Sequence, residues 1–168
     1  MALARSFPPI FDRHARVLIL GSMPGVASLE AEQYYAHPRN AFWPIMGQLF
    51  GAGLDLAYDD RCKRLTAAGV AVWDVLQQCD REGSLDAKID RNSEVANDFG
   101  WLLTECPLIE RVLFNGQKSA DAFRRHALPT LEQAVVNRLT MLRLPSTSPA
   151  HAGRSFDQKL AAWREALA

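Results

Sequence analysis

Val17-Leu18-Ile19-Leu20-Gly21-Ser22-Met23-Pro24-Gly25 runs from branched apolar residues straight into a turn made of glycine, serine and proline. A short apolar run that empties into such a turn reads as a buried strand followed by a loop. Three later runs repeat the pattern. Val70–Trp73 leads into Asp74, Val112–Phe114 into Asn115-Gly116-Gln117, and Thr140–Leu144 into Pro145-Ser146-Thr147-Ser148-Pro149. Helical spacing fills the intervals: Phe42, Ile45, Met46, Leu49 and Phe50; Phe99, Leu102, Leu103 and Cys106; Ala120, Phe123 and Ala127; Phe156, Leu160, Trp163 and Leu167. Ser155 and Asp157 suit the start of the last of these helices. Strands alternating with helices predict parallel βαβ units and a sheet covered on both faces. Gln77–Asn92 is polar, carries a Gly-Ser turn and reads as a long loop.

In a parallel sheet of this kind ligands bind beyond the carboxyl ends of the strands. The informative side chains are therefore those just after each run. Gly21 to Gly25 form a turn that lets a ligand approach the backbone, and Ser22 adds a hydroxyl. Tyr34-Tyr35-Ala36-His37-Pro38-Arg39-Asn40-Ala41-Phe42-Trp43 is dense in aromatics. Phe42 and Trp43 read as core. Tyr34 and Tyr35 offer flat faces, and stacking a nucleobase on such a face is worth roughly 1–3 kcal/mol. Asn40 sits where it can cap the next helix or orient a water molecule. Asp74, set among apolar neighbours, is costly to bury unless paired, so it serves either a structural bond or a site. Asn115 is either a helix cap or a pocket residue. The Ser/Thr/Pro loop offers hydroxyls and amides suited to phosphate oxygens.

The bulk properties bound the answer. One domain spanning 1–168 is expected, and about 70% of the unfolded surface of a chain near this length is hidden on folding. Hydrophobic residues make up 48% and charged residues 23%, with zero net charge, which describes an ordinary globule and not a protein that coats nucleic acid. Any contact with DNA must then be a local patch. The three cysteines, Cys62, Cys79 and Cys106, are too far apart for a C-x-x-C, so reduced and mostly buried thiols are expected. No apolar run reaches a membrane span and no signal-like segment opens the chain, so a cytoplasmic protein with no membrane contact is expected.

Taken together, the first loop, the H-P-R-N-A-F-W segment, F-N-G after the third run and L-P-S-T-S-P-A resemble the hypoxanthine-DNA (deoxyinosine) glycosylase branch of the uracil-DNA glycosylase superfamily, from about Val17 to Trp163. The resemblance implies an α/β fold, a three-layer α/β/α sandwich around a four-stranded parallel sheet. It implies a monomeric enzyme of base-excision repair acting on double-stranded DNA that contains deaminated bases. Such an enzyme flips the damaged nucleotide and hydrolyses its N-glycosidic bond, with no metal and no cofactor.

Residue by residue, Gly21, Ser22 and Met23 match the motif that lines the base pocket. Many relatives carry Asn or Asp at the position of Met23, and a methionine cannot hold water. In the deoxyinosine branch the asparagine of the H-P-x-N-x-F-W segment takes over, here Asn40. Tyr35 matches the aromatic on which the flipped base stacks. Asp74 falls where relatives place an asparagine that reads the base edge. A carboxylate there accepts an imide N–H but donates to a carbonyl only when protonated. Asn115 is expected to face the pocket. Ser146, Thr147 and Ser148 match the loop that grips DNA phosphates. Leu144 stands where some relatives have a histidine, and His151 is expected to touch a phosphate or enter the duplex. Uracil or G·T/U mismatch excision is the alternative lesion choice. Outside this class, Ser22, His151 and Asp74 are the residue types of an esterase-like hydrolase, though without a G-x-S-x-G elbow. Met23 also makes a non-catalytic DNA-binding domain conceivable.

Overall fold

The computed structural model describes residues 2–168. The chain begins with β1 (Leu3–Arg5), β2 (Val17–Gly21), α1 (Val26–Ala31), α2 (Phe42–Phe50) and α3 (Tyr58–Ala67). It continues through β3 (Val70–Asp74), β4 (Leu76–Arg81), β5 (Ile89–Ala96) and α4 (Phe99–Glu105). The last part holds β6 (Arg111–Asn115), α5 (Gln117–Ala122), α6 (Gln133–Asn137), β7 (Thr140–Leu144) and α7 (Phe156–Leu167).

The four apolar runs become one four-stranded parallel sheet in the order β3-β2-β6-β7. The chain leaves β2 for β3 on one side and later crosses to β6 on the other. That reversal opens a crevice beyond the ends of β2 and β6, the usual ligand position in such sheets. β2 and β3 are buried along their whole length. β7 is not, because it pairs only with β6, and Leu142 is 45% exposed.

Register sorts the side chains onto two faces. Leu20 lies beside Trp73 and Phe114. Trp73 packs on Phe99, and Phe114 on Phe123, each with ring centroids 5.2 Å apart. A second cluster joins α2 to α7. Phe42 is edge-on to Trp43 at 4.9 Å and to Trp163 at 6.4 Å, and all three rings are buried. Each buried phenylalanine contributes roughly 1.5–3 kcal/mol. Helices on both faces of the parallel sheet give the expected three-layer α/β/α arrangement. α7 starts with a capping box: Ser155 Oγ accepts from the Gln158 amide and Gln158 Oε1 from the Ser155 amide. Phe156 stays 41% exposed at the head of its apolar stripe. Cys79 and Cys106 are buried, Cys62 is half-buried, and all three thiols are free. Among the described residues no helix is long and apolar enough to cross a membrane.

The expected loop Gln77–Asn92 is largely a hairpin instead. β4 and β5 pair antiparallel, with a short 3-10 turn at Asp86–Lys88, and β1 adds to β4, giving a second sheet in the order β1-β4-β5. Its strands escaped detection because register shifts between Leu76 and Gln78 and between Gln78 and Asp80 break the two-residue period. Within Gln77–Asn92 the outward strand side chains are also polar, with Leu85 exposed at the tip, so no apolar run marks it.

Buried Glu94 of β5 fastens this hairpin to the main domain. It receives Lys118 Nζ, Arg125 Nη1 at 3.2 Å and His126 Nε2 at 2.8 Å. The basic residues lie on α5 and on the π turn Phe123–Ala127 that widens its end. Burial pushes the Glu94 carboxyl up, but hydrogen bonds from Lys118 and His126 outweigh it and hold the group below the usual range. A carboxyl with a depressed pKa contributes stability above its unfolded value and loses it as pH falls through the folded one. Glu94→Gln is therefore expected to cost about 1–3 kcal/mol at neutral pH. The deficit should shrink on acidification below the ordinary glutamate range, as read by urea denaturation at a series of pH values.

Candidate active site at the strand ends

The end of β2 is shaped by an absent side chain. A Cβ on Gly21 would lie 2.4 Å from Asp74 Oδ1 and 3.0 Å from the Tyr35 hydroxyl, so only glycine fits. β2 and β3 align Gly21 with Asp74, which brings the carboxyl over the glycine. Asp74 is 3% exposed. Its Oδ2 and the Tyr35 hydroxyl are both buried without a hydrogen-bond partner. Unpaired buried polar atoms are rare and call for an explanation. Burial, and then the nearby charge of Asp86, push the Asp74 carboxyl up to about 7, against an opposing pull from Arg81. Burial and then the Asp74 carboxyl push the Tyr35 phenol well above its usual range, against an opposing pull from the Asn115 side chain.

Tyr35 is held in the left-handed region, at φ 55°, a conformation uncommon for a bulky residue and suggestive of a functional position. One face of its ring is stacked on Phe42, with centroids 4.0 Å apart and planes 22° apart. Tyr34 turns into the core, with its hydroxyl donating to Pro8 O at 2.8 Å and its ring buried, so it offers no face to a base.

Ser22 and Met23 continue the loop and are both buried. Ser22 Oγ donates to Asp86 Oδ1 at 2.6 Å. Asp86 sits on the exposed hairpin tip but turns its carboxylate inward. Arg81 is buried beside it, donating through Nε to Gly83 O and through Nη2 to Pro24 O, while Nη1 has no partner. Neither Asp86 nor Arg81 was legible as a site residue. Both belong to the stretch read as loop, and Asp86 is 64 positions from Ser22.

The remaining two loops close on each other. Asn40 Oδ1 accepts from the Phe42 amide at 2.9 Å, a local turn bond one residue ahead of Ala41, which takes the N-cap position of α2 with no side-chain cap. The asparagine also lines a cavity of about 260 Å3 with Pro38, Arg39, Phe156 and Lys159. The next amide, Ala41, donates to Thr147 O at 2.9 Å. Asn115 clamps the same threonine twice: Nδ2 donates to Thr147 Oγ1, and Oδ1 accepts from the Thr147 amide, each at 2.9 Å. Asn115 is thus no helix cap. Gly116 takes that position, at φ 93°, with Ser146 packed where its Cβ would be. Thr147 is 1% exposed, so its hydroxyl serves the clamp and is not presented outward. Ser146 and Ser148 are half-buried, and their hydroxyls accept from the amides of Ser148 and Ala150. Behind the loop, Trp163 Nε1 donates to Pro145 O and Lys159 Nζ to His151 O.

A family model described as the uracil DNA glycosylase superfamily matches residues 8–167. The chain belongs to that superfamily. A Methanosarcina barkeri protein named hypoxanthine DNA glycosylase is 40% identical over 118 residues, 70% of this chain and 73% of that one. Its Methanosarcina acetivorans namesake is 38% identical over 120 residues, 71% and 75% of the two chains. A solution NMR structure of a Methanosarcina acetivorans protein superposes with a TM-score of 0.77 at 32% identity, over 98% of each chain.

Within this uracil-DNA glycosylase fold the expected site residues fall into two groups. Gly21, Ser22, Met23, Tyr35 and Asp74 meet at the end of β2. Asn40, Asn115, Ser146, Thr147 and Ser148 meet where the second and fourth loops touch. His151 borders the second group, its amide donating to Ser148 O at 3.0 Å. It lines a cavity of about 720 Å3 together with Gly116, Ser146, Arg154 and residues of α7. An esterase triad is thereby excluded, because the Ser22 hydroxyl is taken by Asp86 and no histidine bonds to Ser22 or Asp74 among the described residues. Asn115→Ala removes both bonds of the clamp and leaves the Thr147 hydroxyl buried and unpaired. A loss of about 1–3 kcal/mol in urea denaturation is expected. Amide exchange should speed up across Ser146–His151 but not in β2 or β3.

Proposed function

We propose that this chain is a monofunctional DNA glycosylase that extrudes a deaminated nucleotide from duplex DNA, hypoxanthine first, and hydrolyses its N-glycosidic bond. The observation that carries this reading is the pair of buried, unpartnered polar groups, the Asp74 carboxyl and the Tyr35 hydroxyl, over Gly21 at the crevice of the sheet. Groups held unpaired in the free protein suit a ligand with its own donors and acceptors. The names and identities of the two Methanosarcina relatives support hypoxanthine as that ligand.

In this reading the free face of Tyr35 stacks on the base, Asp74 meets its edge, and Gly21, Ser22 and Met23 form the pocket wall. Asn115 serves by fixing the Ser/Thr/Pro loop. Ser146 and Ser148 grip phosphates with their hydroxyl protons, Thr147 supports them from behind, and His151 meets the DNA strand at the rim. A mispaired base is cheaper to extrude, which favours lesions over normal pairs. The enzyme works as a monomer, in the cytoplasm, without a metal or cofactor. With zero net charge, contact with DNA falls to a local patch, and this reading assigns it to the face of these loops.

Hydrolysis asks for electrostatics more than for a strong base. The bond from C1′ to the base nitrogen breaks, and its electron pair leaves on the base. Water adds to C1′ and its proton passes to solvent or to the departing base. Asn40 holds that water. One lone pair of its Oδ1 is committed to the Phe42 amide, and the other lone pair and the amide hydrogens remain. Uracil presents the same N–H beside a carbonyl, so it belongs in the assay.

Labelled duplexes holding inosine, uracil, xanthine or a G·T mismatch, treated with alkali after incubation, should be cleaved fastest at inosine. Asn40→Ala should slow single-turnover excision by about 100-fold or more. Tight binding of abasic DNA without release of any base would instead favour a non-catalytic domain.

A further inference from the structure

Asp74 keeps one carboxyl oxygen, Oδ2, buried with no hydrogen-bond donor among the described residues. Oδ1 lies over Gly21. Four ionisable side chains interact with it. Tyr35, from the loop before α2, and buried Tyr34 stay neutral, because burial and then the Asp74 carboxyl push both phenols up. Arg81 of β4 favours ionisation, but it gives Nε and Nη2 to backbone carbonyls and makes no ion pair with Asp74 among the described residues. Asp86 opposes ionisation. Asp86 is the better placed of the two carboxyls to carry a negative charge. Burial pushes the Asp86 carboxyl up as well, but the Ser22 hydroxyl donates to it, and Arg81 and Lys118 both pull it back toward its ionised form. Two neighbouring carboxyls, one tethered and one without a donor, are set to take different protonation states.

The geometry points to Asp74 meeting the flipped base as a neutral carboxylic acid that donates to the base carbonyl, with Asp86 on its Ser22 tether as the charge that keeps it so. This rests on the glycosylase reading. A neutral carboxyl presents an O–H donor beside a C=O acceptor. The edge of hypoxanthine presents a carbonyl beside an N–H, so the two match in a pair of hydrogen bonds. An ionised carboxylate would set an anion against that carbonyl. As the glycosidic bond breaks, the electron pair passing to the base raises the negative charge on the same carbonyl oxygen. A donor already aimed at it strengthens in the transition state. No side chain at the end of β7 can take that part, because Leu144 is apolar and buried. Asp86 touches neither base nor water and is a positioning residue.

Single-turnover excision of hypoxanthine, at saturating enzyme between pH 6 and 9, reads the protonation directly. The wild type should be level on the acid side and fall about tenfold per pH unit once Asp74 ionises. Asp86→Asn removes a charge that opposes ionisation, so the fall should begin at lower pH. Asp74→Asn keeps a donor that does not titrate, so its rates should vary less than about threefold over the range, at whatever level of activity it retains. A wild-type fall that persists in Asp74→Asn, or stays in place in Asp86→Asn, overturns the inference. Carbon-13 NMR of the aspartate carboxyls in the free protein gives a test independent of turnover. Titration of the Asp74 signal near neutrality is expected, with a shift to lower pH in Asp86→Asn. Titration in the ordinary carboxylate range contradicts the inference. Failure of the wild type to release any base would sink the glycosylase reading, while the NMR titration would still decide the state of Asp74.

Discussion

The site depends on a contact that only glycine permits. Asp74 Oδ1 comes within 2.4 Å of where a Cβ on Gly21 would stand, and the Tyr35 hydroxyl within 3.0 Å. Parallel pairing of β2 with β3 delivers the carboxyl, and a left-handed backbone at Tyr35 delivers the phenol. Neither position is favourable by itself. Burying a carboxyl without a donor is costly, and so is a positive φ on a tyrosine. The surrounding core makes up the cost. Phe42 lies against Tyr35 and is locked between Trp43 and Trp163, so the phenol cannot turn away without disturbing the packing of α2 on α7.

The second half of the site is held by hydrogen bonds. Thr147 is bonded on three sides: by the two contacts with Asn115 and by the Ala41 amide donating to its carbonyl. Those bonds tie the end of β6, the start of α2 and the loop after β7 into one unit. Lys159 and Trp163 of α7 fix the back of that loop. Such rigidity suits the phosphate contacts proposed for this loop, because little ordering is left to be done on binding.

Much of this was legible in the sequence. The strands of the parallel sheet announced themselves as short apolar runs, and Gly21–Gly25, Asp74, Asn115 and the Ser/Thr/Pro loop each follow one of them. Tyr35 and Asn40 follow α1 instead, and their expected roles came from the resemblance to the glycosylase family. Four things were hidden. The β4–β5 hairpin has polar outer faces and a broken register, so nothing in its pattern distinguished it from a loop. Asp86 and Arg81 act across that hairpin on the first loop, and no local spacing encodes such a contact. Thr147 was read with its serine neighbours as a DNA contact, yet the Asn115 clamp turns it inward. Orientation within a Ser/Thr loop depends on partners elsewhere in the chain. The exposed outer side of β7 follows from its place at the sheet edge, which composition does not reveal.

A cavity of about 720 Å3 lies outside this site. It runs from Ser146 and His151 along α7 and includes neither Tyr35 nor Asp74. Base recognition is nonetheless proposed for the end of β2, because the unpaired polar groups are there. Titrating the isotope-labelled protein with free hypoxanthine, and following backbone and aspartate carboxyl signals by NMR, tests that placement directly. The predicted result is a saturable shift centred on Gly21–Met23, Tyr35 and Asp74, with β7 and α7 unmoved. Shifts confined to Arg143, Arg154 and Glu165, with Gly21 and Asp74 silent, would contradict it.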